Sequence, residues 1–384
     1  MKTSTFVVFL MAVILMMAAS CYALDYTADL SLSLSEQYND NIFLTNRDKV
    51  SDYITLVAPA LSLSTRTAQS DILVNYSPTF NFYKDNSDQN STSHAASAVG
   101  HYRATDKLTL GLSDTFVSTR EAAAIRAVQG AGPISTSGER ITTNTLAGDL
   151  AYRITAKISL LANAGYTYTD TQTGTDDVSS YTGGLGATYL YNSRTTFRIN
   201  ATYTFFDYKT SSNSNSSSYI AGVNYRLTPT LVIDAFGGVV ITKVDEPKRT
   251  NTGFTGGVSA TKTFERGTAS ISYLQSVIAG VESTTPVKQQ TLTLRYTAPV
   301  VERLDASASA FYSRYRAIGG TVTAGAEDRD DIGGTADLTY RLLPWLNGFF
   351  SYSYINSNDK TDSTGSYRNN IVTAGIRLSK QARF

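Results

Sequence analysis

Apolar and polar side chains alternate along most of this chain, and this pattern constrains its fold more than any other feature of the sequence. The segment "DILVNYSPTFNFY" has six residues on one face: Ile72, Val74, Tyr76, Pro78, Phe80 and Phe82. The same pattern returns in "TTFRINATYTFF" and "DIGGTADLTYRL", where small or charged residues occupy the other face. A period of two residues predicts β-strands that are apolar on one side only. About eighteen segments of this kind follow one another along the chain.

The connections between these segments fall into two classes that alternate along the chain. One class is short, with turns such as "RATDK", "RITAK" and "YNSRT". The other class is longer and rich in Ser, Thr, Asn, Asp and Gly, as in "KDNSDQNSTSH", "KTSSNSNSSS" and "NSNDKTDSTGS". A soluble β-sandwich gives no reason for such regular alternation, whereas a transmembrane barrel has short periplasmic turns and long extracellular loops.

Closure of the sheet follows from the membrane environment. Every backbone N–H and C=O in lipid needs a partner within the protein, and an open sheet edge cannot provide one. The sequence therefore predicts an all-β fold, a transmembrane antiparallel up-and-down β-barrel of about eighteen strands. A closed barrel of that size encloses an aqueous lumen, so the polar face of each strand is expected to point inward. Aromatic girdles are assigned to residues near strand ends: Tyr189, Tyr191, Tyr340, Phe349, Tyr352 and Tyr354.

The first residues have the anatomy of a secretory signal peptide. Lys2 supplies a positive start, and the unbroken apolar run after it is short for a membrane span. We expect cleavage after Ala23, which gives a signal peptide at residues 1–23 and a barrel over residues 24–384. An alternative is a lipoprotein signal, in which Cys21 becomes the lipidated first residue. With the barrel pattern, the expected location is the bacterial cell outer membrane.

Composition argues against several classes of function. The chain holds 33 basic and 32 acidic residues, so it has no basic excess to bind nucleic acid. Removal of the leader takes all 4 Met and the single Cys, which leaves no thiol or thioether for a soft-metal or haem site. His94 and His101 are the only histidines, and Ser and Asp are so abundant that a triad with either His means little. We therefore predict no enzyme activity, no cofactor and no metal.

Charged residues on the predicted inner face are the strongest candidates for a functional role. A set of them is assigned to the pore lining: Arg103, Asp149, Arg153, Arg198, Arg226, Asp234, Arg295, Asp305, Asp337, Arg341 and Arg377. Rings of charge in a pore set ion preference through their field strength. The alternative interpretation is that they form ladders of paired charge that hold the wall together, because both signs occur and nearly balance. Either role predicts weak ion selectivity.

Three further segments carry narrower predictions. "EQYNDNIF", residues 36–43, ends the first strand, and its Asn and Asp favour a turn anchored by Ile42 and Phe43, although such a cluster could also coordinate calcium. "GGLGAT", residues 183–188, lies inside a strand with no helix after it, so its glycines indicate strand curvature or close packing, not a phosphate loop. The longest loop is assigned to roughly Ser118 to Thr143. Residues 121–129 could form a short helix in it, and the loop either narrows the lumen or remains plain surface loop.

The C-terminus adds a signal for membrane insertion. Alternate residues from Val372 onwards share one face up to the terminal Phe384. This arrangement resembles the C-terminal strand that the barrel-assembly machinery recognises in outer-membrane proteins. Lys380 and Ala382 depart from that pattern, which usually has apolar or aromatic residues at these positions.

The N-terminal part of the chain also resembles a known family. "EQYNDNIF", followed by "VSDYITLVAPALSLS" and "DILVNYSPTFNFY", resembles the beta-barrel porin type-two family of outer-membrane proteins, most sharply over residues 30–103. Relatives of that group accompany exopolysaccharide and exosortase-linked systems. The resemblance implies an outer-membrane channel-type barrel with a link to polysaccharide export, and it carries no catalytic residues.

Together these observations predict a porin-like channel for passive passage or export of solutes. One alternative is a structural or scaffold barrel that encloses or docks a periplasmic partner, such as a polysaccharide exporter or an electron-carrying protein. Another is an outer-membrane enzyme with a site at the loop rim. The expected partners are outer-membrane lipid, the barrel-assembly machinery and an envelope export or electron-transfer complex, without nucleic acid.

Overall fold

A computed structural model describes residues 26–120, 140–171, 177–209, 212–246, 248–278, 286–318, 328–360 and 366–384. Within these residues one sheet of 18 strands forms, as the alternation predicts. The strands are β1 Tyr26–Asn39, β2 Asp52–Arg66, β3 Ser70–Tyr83, β4 Ser91–Arg103, β5 Leu108–Thr119, β6 Ile141–Arg153, β7 Ile158–Thr171, β8 Val178–Asn192, β9 Thr195–Tyr208, β10 Ser214–Thr228, β11 Leu231–Val244, β12 Arg249–Phe264, β13 Gly267–Ile278, β14 Val287–Val301, β15 Leu304–Ala317, β16 Asp328–Leu343, β17 Leu346–Asp359 and β18 Tyr367–Arg383. The predicted signal peptide (1–23) and the predicted loop helix (121–129) lie outside the described residues and stay predictions.

The sheet closes on itself. Each strand pairs antiparallel with the next one in the chain, and β18 pairs with β1. The terminal Phe384 extends this seam, because its amide donates to the Tyr26 carbonyl at 2.9 Å and its carbonyl accepts from the Tyr26 amide at 3.2 Å. Closure satisfies the backbone groups that an open edge would leave unpaired. The predicted antiparallel up-and-down barrel is confirmed.

Side-chain alternation divides the wall into an outer face and a lumen face. Large apolar residues of one parity are exposed on the outer face, with Leu185 at 70%, Ile199 at 61% and Tyr219 at 57%. A water-soluble protein rarely exposes so continuous an apolar surface, whereas a barrel in lipid presents a band of this kind. Among the described residues, no helix is long and apolar enough to cross a membrane.

The outer face also carries polar pairs whose members satisfy each other. Thr55 Oγ1 donates to Glu36 Oε1 at 2.6 Å, between β2 and β1. Asn144 Nδ2 donates to Asp114 Oδ1 at 2.8 Å, between β6 and β5. A polar group on a lipid-facing surface needs such a partner because lipid offers none. Polar contacts of this kind interrupt the apolar band at several points, as the bond from Gln290 Nε2 to Gln275 Oε1 at 2.7 Å also does.

Strands extend further into the polar connections than the sequence suggested. The prediction placed the longest loop between Ser118 and Thr143, whereas β5 continues to Thr119 and β6 begins at Ile141. Likewise, β10 begins at Ser214, inside the Ser-rich segment assigned to a loop. Ser, Thr and Asn can take part in a backbone ladder in water as well as in lipid, so the wall rises beyond its apolar band.

The aromatic prediction is correct for the tyrosines and wrong for Phe349. Tyr189, Tyr340 and Tyr352 are each about two-fifths exposed on the outer face. Phe349 instead faces the lumen, where the Arg377 guanidinium lies 5.6 Å from its ring. Two consecutive phenylalanines stand at this point of β17, so both faces are apolar there and the neighbouring Phe350 takes the lipid side.

Candidate functional site in the barrel lumen

The register places all the residues assigned to the pore lining on the lumen face. Arg295, for example, lies opposite Ser270 and Ser309, whose strands present the same face at this point. Each of the other members is paired in the register with a lumen-facing residue of an adjacent strand, so its side chain points to the same side of the wall. They lie in the half of the barrel nearer the short turns, which we call the turn-side half. Their position is thus fixed, and their effect on ions stays a prediction.

Positive charge exceeds negative charge in the turn-side half. Its lumen face carries nine arginines: Arg66, Arg103, Arg153, Arg198, Arg226, Arg295, Arg341, Arg377 and Arg383. It carries six aspartates: Asp29, Asp71, Asp149, Asp234, Asp305 and Asp337. The lining therefore has an excess of three positive charges, spread around the wall and mixed with negative ones.

One ion pair forms within the predicted set. Arg198 and Asp234 bond through both guanidinium nitrogens, with Nη2 to Oδ1 at 2.6 Å. Asn224 Nδ2 donates to the same carboxylate at 3.4 Å, and the guanidinium lies 5.4 Å from the Phe236 ring. This bidentate contact is a strong geometry for a carboxylate, so it braces β9 against β11 across the lumen face of β10.

The other members of the predicted set do not form a ladder of charge within the described residues. Asp337 accepts hydrogen bonds from Ser307 Oγ at 3.1 Å and Ser351 Oγ at 2.6 Å, with no cation involved. The side chains of Arg226 and Arg341 form no ion pair with any described residue. Unpaired guanidinium groups facing a lumen can act on ions that pass, which favours the pore interpretation over the ladder.

The lumen is packed at its other end. Lumen-facing residues near the long loops are less than one-tenth exposed in 16 of the 18 strands. Each of these strands contributes at least one such residue: Asn39, Ile54, Tyr83, Thr119, Ile141, Thr171, Val178, Tyr208, Ser214, Val244, Thr255, Val287, Tyr315, Asp331, Ser357 and Tyr367. Protein atoms therefore fill much of the lumen at this height, which we call the loop-side level.

Apolar side chains and one buried ion pair characterise the loop-side level. Val178, Phe206 and Tyr208 pack together as a buried cluster. Arg329 Nε lies 3.3 Å from Asp331 Oδ1, and both side chains are almost fully buried. From the sequence, polar residues were expected on this face, so these apolar residues differ from the prediction. A signal was present, because alternation lapses in "TFFDY" and "GVVITKV", where adjacent residues on both faces are apolar.

The predicted turn in "EQYNDNIF" is confirmed, and the side chains of Asp40 and Asn41 are hydrogen-bonded within the protein. Asn41 is fully buried, and its Nδ2 donates to the carbonyls of Thr45 at 2.8 Å and Arg368 at 3.0 Å. The Asp40 carboxylate accepts from the amide and Nδ2 of Asn370 at 2.7 and 2.6 Å. The buried anchor is Leu44, where Ile42 and Phe43 were expected.

Histidine placement offers no shared site. His94 lies on the outer face, with Nδ1 3.0 Å from the Tyr76 hydroxyl. His101 lies on the lumen face, about half exposed, with Nδ1 3.0 Å from Asp71 Oδ2. The two rings are on opposite sides of the wall. No group of three or more His, Cys, Asp or Glu that could hold a metal occurs in the described part of the chain.

The glycines of "GGLGAT" leave room for asparagine side chains in the lumen wall. A Cβ on Gly186 would lie 1.7 Å from Asn200 Oδ1 and 2.7 Å from the Ile199 carbonyl. A Cβ on Gly183, on the outer face, would meet nothing within 4 Å. Close packing across β8 and β9 thus explains the lumen-facing glycine, in agreement with the structural interpretation of this segment.

An ion pair joins two of the outer connections. Asp177, which is 7% exposed, accepts from Lys209 Nζ at 3.0 Å and from the Thr171 amide at 3.1 Å. Burial raises the pKa of Asp177, but the hydrogen bonds and the charge of Lys209 outweigh burial and hold that pKa below its usual value. The carboxylate therefore ties β7, β8 and the segment after β9 together at the rim.

Comparison with known proteins gives partial structural likeness only. No protein-family model matches the sequence, and no curated protein does. The outer membrane protein OpdK from Pseudomonas aeruginosa is similar with a TM-score of 0.49 and 12% identity, over 92% of this chain and 99% of that chain. Pseudomonas aeruginosa OccK2 (OpdF), in complex with glucuronate, gives 0.48 and 10%, over 92% and 98%. Acinetobacter baumannii OccAB3 gives 0.47 and 12%, over 93% and 99%.

Likeness of this degree assigns no family, so the resemblance to the beta-barrel porin type-two family stays a prediction. The wall itself is informative, because it closes without an edge and exposes an apolar band outside. Its turn-side lumen is polar and charged. A closed sheet with an apolar outer face and a polar inner face is the arrangement that a lipid bilayer requires of a β-sheet that spans it. The chain is a transmembrane β-barrel of the outer-membrane type.

Proposed function

We propose that this barrel is a porin-like channel through which small hydrophilic solutes diffuse across the outer membrane. The observation that carries the proposal is the exposed, charged lining of the turn-side half inside a closed wall. A barrel of eighteen strands is wide enough to hold water between its side chains. Charged residues on that lining stay hydrated, so the lumen favours polar solutes over apolar ones.

The loop-side level limits the size of the solute. Its lumen-facing side chains are buried, including Ile54 at 1% and Val287 and Tyr315 at 0% exposure. Protein fills much of the cross-section there, so the passage is narrower than the strand number alone would give. Small ions and small metabolites fit this arrangement better than a folded protein or a thick polymer.

Recordings from the purified full-length chain in planar lipid bilayers test the proposal. We expect discrete conductance steps, lower than those of an unobstructed barrel of eighteen strands. Neutral polymers of increasing size should reduce the conductance only while they are small enough to enter. Absence of any step from correctly folded barrel would contradict the channel and favour the scaffold alternative.

Charge on the lining predicts a weak preference for anions. The excess of three positive charges on the turn-side lumen face is small beside the total number of charges there. Replacement of Arg226 and Arg341 by Gln should move the reversal potential in a salt gradient towards cation preference. The matched control replaces Lys262 and Lys380, which lie on the outer face near the same end. An equal shift in the control would show that the lining does not set selectivity.

A narrower form of the proposal is that the channel serves polysaccharide export. Its support is the sequence resemblance over residues 30–103. Loss of secreted polysaccharide on deletion of the gene, restored by the wild-type chain, would support this form. Normal polysaccharide in the deletion strain would remove it and leave the general channel untouched.

A further inference from the structure

Cations are concentrated on one part of the outer face, just above its aromatic residues. At the loop ends of β14 to β18 the outward-facing ionisable residues are Lys288, Arg314, Arg316, Asp328, Asp330, Lys360 and Arg368. This group is called the basic arc. It contains five cations and two carboxylates, so it has an excess of three positive charges.

Register shows that the basic arc faces away from the lumen. Arg314 lies opposite Asp330 between β15 and β16, and both have the parity of Tyr312 and Ile332. Tyr312 is 41% exposed and Ile332 is 51% exposed on the outer face. The arc therefore continues the lipid-facing side of the wall beyond its last apolar and aromatic residues.

Two carboxylates hold the arc in place without neutralising it. Asp330 contacts Lys360 Nζ at 2.5 Å, Arg314 Nε at 3.7 Å and an Arg316 nitrogen at 3.8 Å. Arg316 also pairs with Asp328. One carboxylate shared among three cations leaves donor groups free to face an external anion. The side chains of Arg314 and Lys360 remain 45% and 39% exposed.

The neighbouring part of the rim lacks this character. Counted in the same way by alternation, with one described residue beyond each strand end, the loop ends of β7 to β13 carry on their outer face Asp170, Asp177, Asp207, Lys209, Lys243, Asp245 and Lys248. These carry three positive and four negative charges. The basic arc thus differs in sign from the adjoining rim over β7 to β13.

A polar pocket lies at the end of the basic arc. Its volume is about 490 Å³, and it opens between the loop after β1 and the strands β17 and β18. Its polar lining includes Lys49, Asn356, Asn358 and Arg368. Lys49 Nζ donates to the Arg368 carbonyl at 2.8 Å, which brings a sixth cation next to the arc. Two cations with several amides suit a phosphate attached to a hydroxyl-rich group.

We propose that the basic arc and this pocket bind a phosphate-bearing glycolipid of the outer leaflet. The pocket receives a phosphorylated sugar, and the arc neutralises further phosphate, while the acyl chains lie against the apolar band below. Arg is suited to this role because its guanidinium binds phosphate through two hydrogen bonds. Aromatic residues mark the membrane interface, so the arc above Tyr312 stands at the height of lipid headgroups.

The inference depends on the barrel lying in an outer membrane and is independent of whether its lumen conducts. A barrel without conductance could still bind this lipid through its outer face. A conducting barrel that ignores the lipid would overturn only the present proposal. The two proposals therefore fail separately.

Native mass spectrometry of the detergent-purified full chain tests the site. The probes are a diphosphorylated diglucosamine lipid, the same lipid after removal of its phosphates, and inorganic phosphate alone. The variant Arg314→Gln/Arg368→Gln is compared with Lys84→Gln/Lys243→Gln, which removes two cations from the same rim outside the arc. Heat-dependent electrophoretic mobility establishes that each variant is folded.

We expect tight binding of the phosphorylated lipid alone, and roughly fivefold weaker binding for each arc cation removed. The control variant should bind as the wild type does, and rising salt should weaken wild-type binding. Equal binding of the dephosphorylated lipid, or an equal loss in the control, would overturn the proposal. Binding of inorganic phosphate alone, without the lipid, would show a site for free anions and overturn the proposal. If the Arg variant does not fold, Lys288→Gln/Lys49→Gln gives the same comparison.

Discussion

The two ends of the lumen follow opposite physical rules on one continuous wall. Near the long loops, Ile54, Val287 and Tyr315 are buried to 1% or less, as in the core of a soluble protein. Near the short turns, the lumen-facing Leu73 is 40% exposed and the arginines face open space. Burial of apolar surface stabilises the first region, whereas the second gains nothing from burial and keeps its charges hydrated.

This contrast separates stability from selectivity along the barrel axis. A packed level braces the wall where the loops leave it, and it also narrows the passage. A hydrated level leaves charge free to act on ions, with Arg198 and Asp234 as a brace inside it. Substitutions of the same kind should therefore have different consequences at the two heights.

The largest expected effect comes from an unpaired carboxylate in the packed level. Ile54→Asp places a charge at a fully buried position and should lower the free energy of unfolding by about 3–5 kcal/mol. Leu73→Asp makes the same kind of change on the adjacent strand, at an exposed lumen position. Its cost should be only about 0.5 kcal/mol because water reaches the new carboxylate.

Urea unfolding in detergent micelles measures this difference. Trp345, the single tryptophan, is half exposed at a short turn and supplies a fluorescence signal remote from both sites. Equal losses in the two variants would break the comparison, because they would mean that both heights are packed alike.

The next effect tests packing across the wall at one height. Gly186→Ala directs a methyl group into the Ile199 carbonyl and Asn200, and overpacking of this kind costs about 1–3 kcal/mol. Gly183→Ala, three residues earlier on the lipid face, meets nothing within 4 Å. It should be neutral or stabilise the strand by about 0.5 kcal/mol, since alanine restricts the unfolded chain. A loss of stability in both variants would show that glycine serves strand curvature here, not packing.

Most of the fold was predictable because its cause is local. Alternation in "DILVNYSPTFNFY" assigns Phe80 and Phe82 to the lipid face, and the structure places them there. Loop lengths predicted the up-and-down order. Strand ends were less predictable, since the serines around Ser214 favour loops by composition and yet pair with β9 and β11.

The lumen was predictable only where its residues are charged. The charges of Arg226 and Asp234 indicate that these side chains face the lumen, because a charged side chain facing lipid is energetically costly. Tyr315 and Val287 do not, since an apolar residue of the inward parity interrupts alternation without indicating what covers it. The basic arc could not be predicted for a related reason. Lys360 lies in "NSNDKTDSTGS", a segment assigned to a loop, and only strand register gives it a common face with Arg314.

The smallest expected effect concerns the Asp177–Lys209 contact at the rim. The pKa of Asp177 is lowered in the folded barrel, so the contact stabilises the fold above the ordinary carboxyl pKa of about 3.9. That contribution is lost as the pH falls through the lowered pKa. The gain is expected to stay under about 1 kcal/mol, because Lys209 is 59% exposed and screened by water.

Urea midpoints of the wild type and Asp177→Asn, compared at neutral and acidic pH, measure this contribution. The wild type should be the more stable at neutral pH, and the difference should shrink in acid as its carboxylate takes up a proton. Asp207→Asn is the control, since this exposed neighbour forms no ion pair with described residues. Equal stability of the wild type and Asp177→Asn at both pH values would mean that Asp177 acts through its hydrogen bond to the Thr171 amide and not through its charge, because an amide oxygen and a carboxylate both accept that bond.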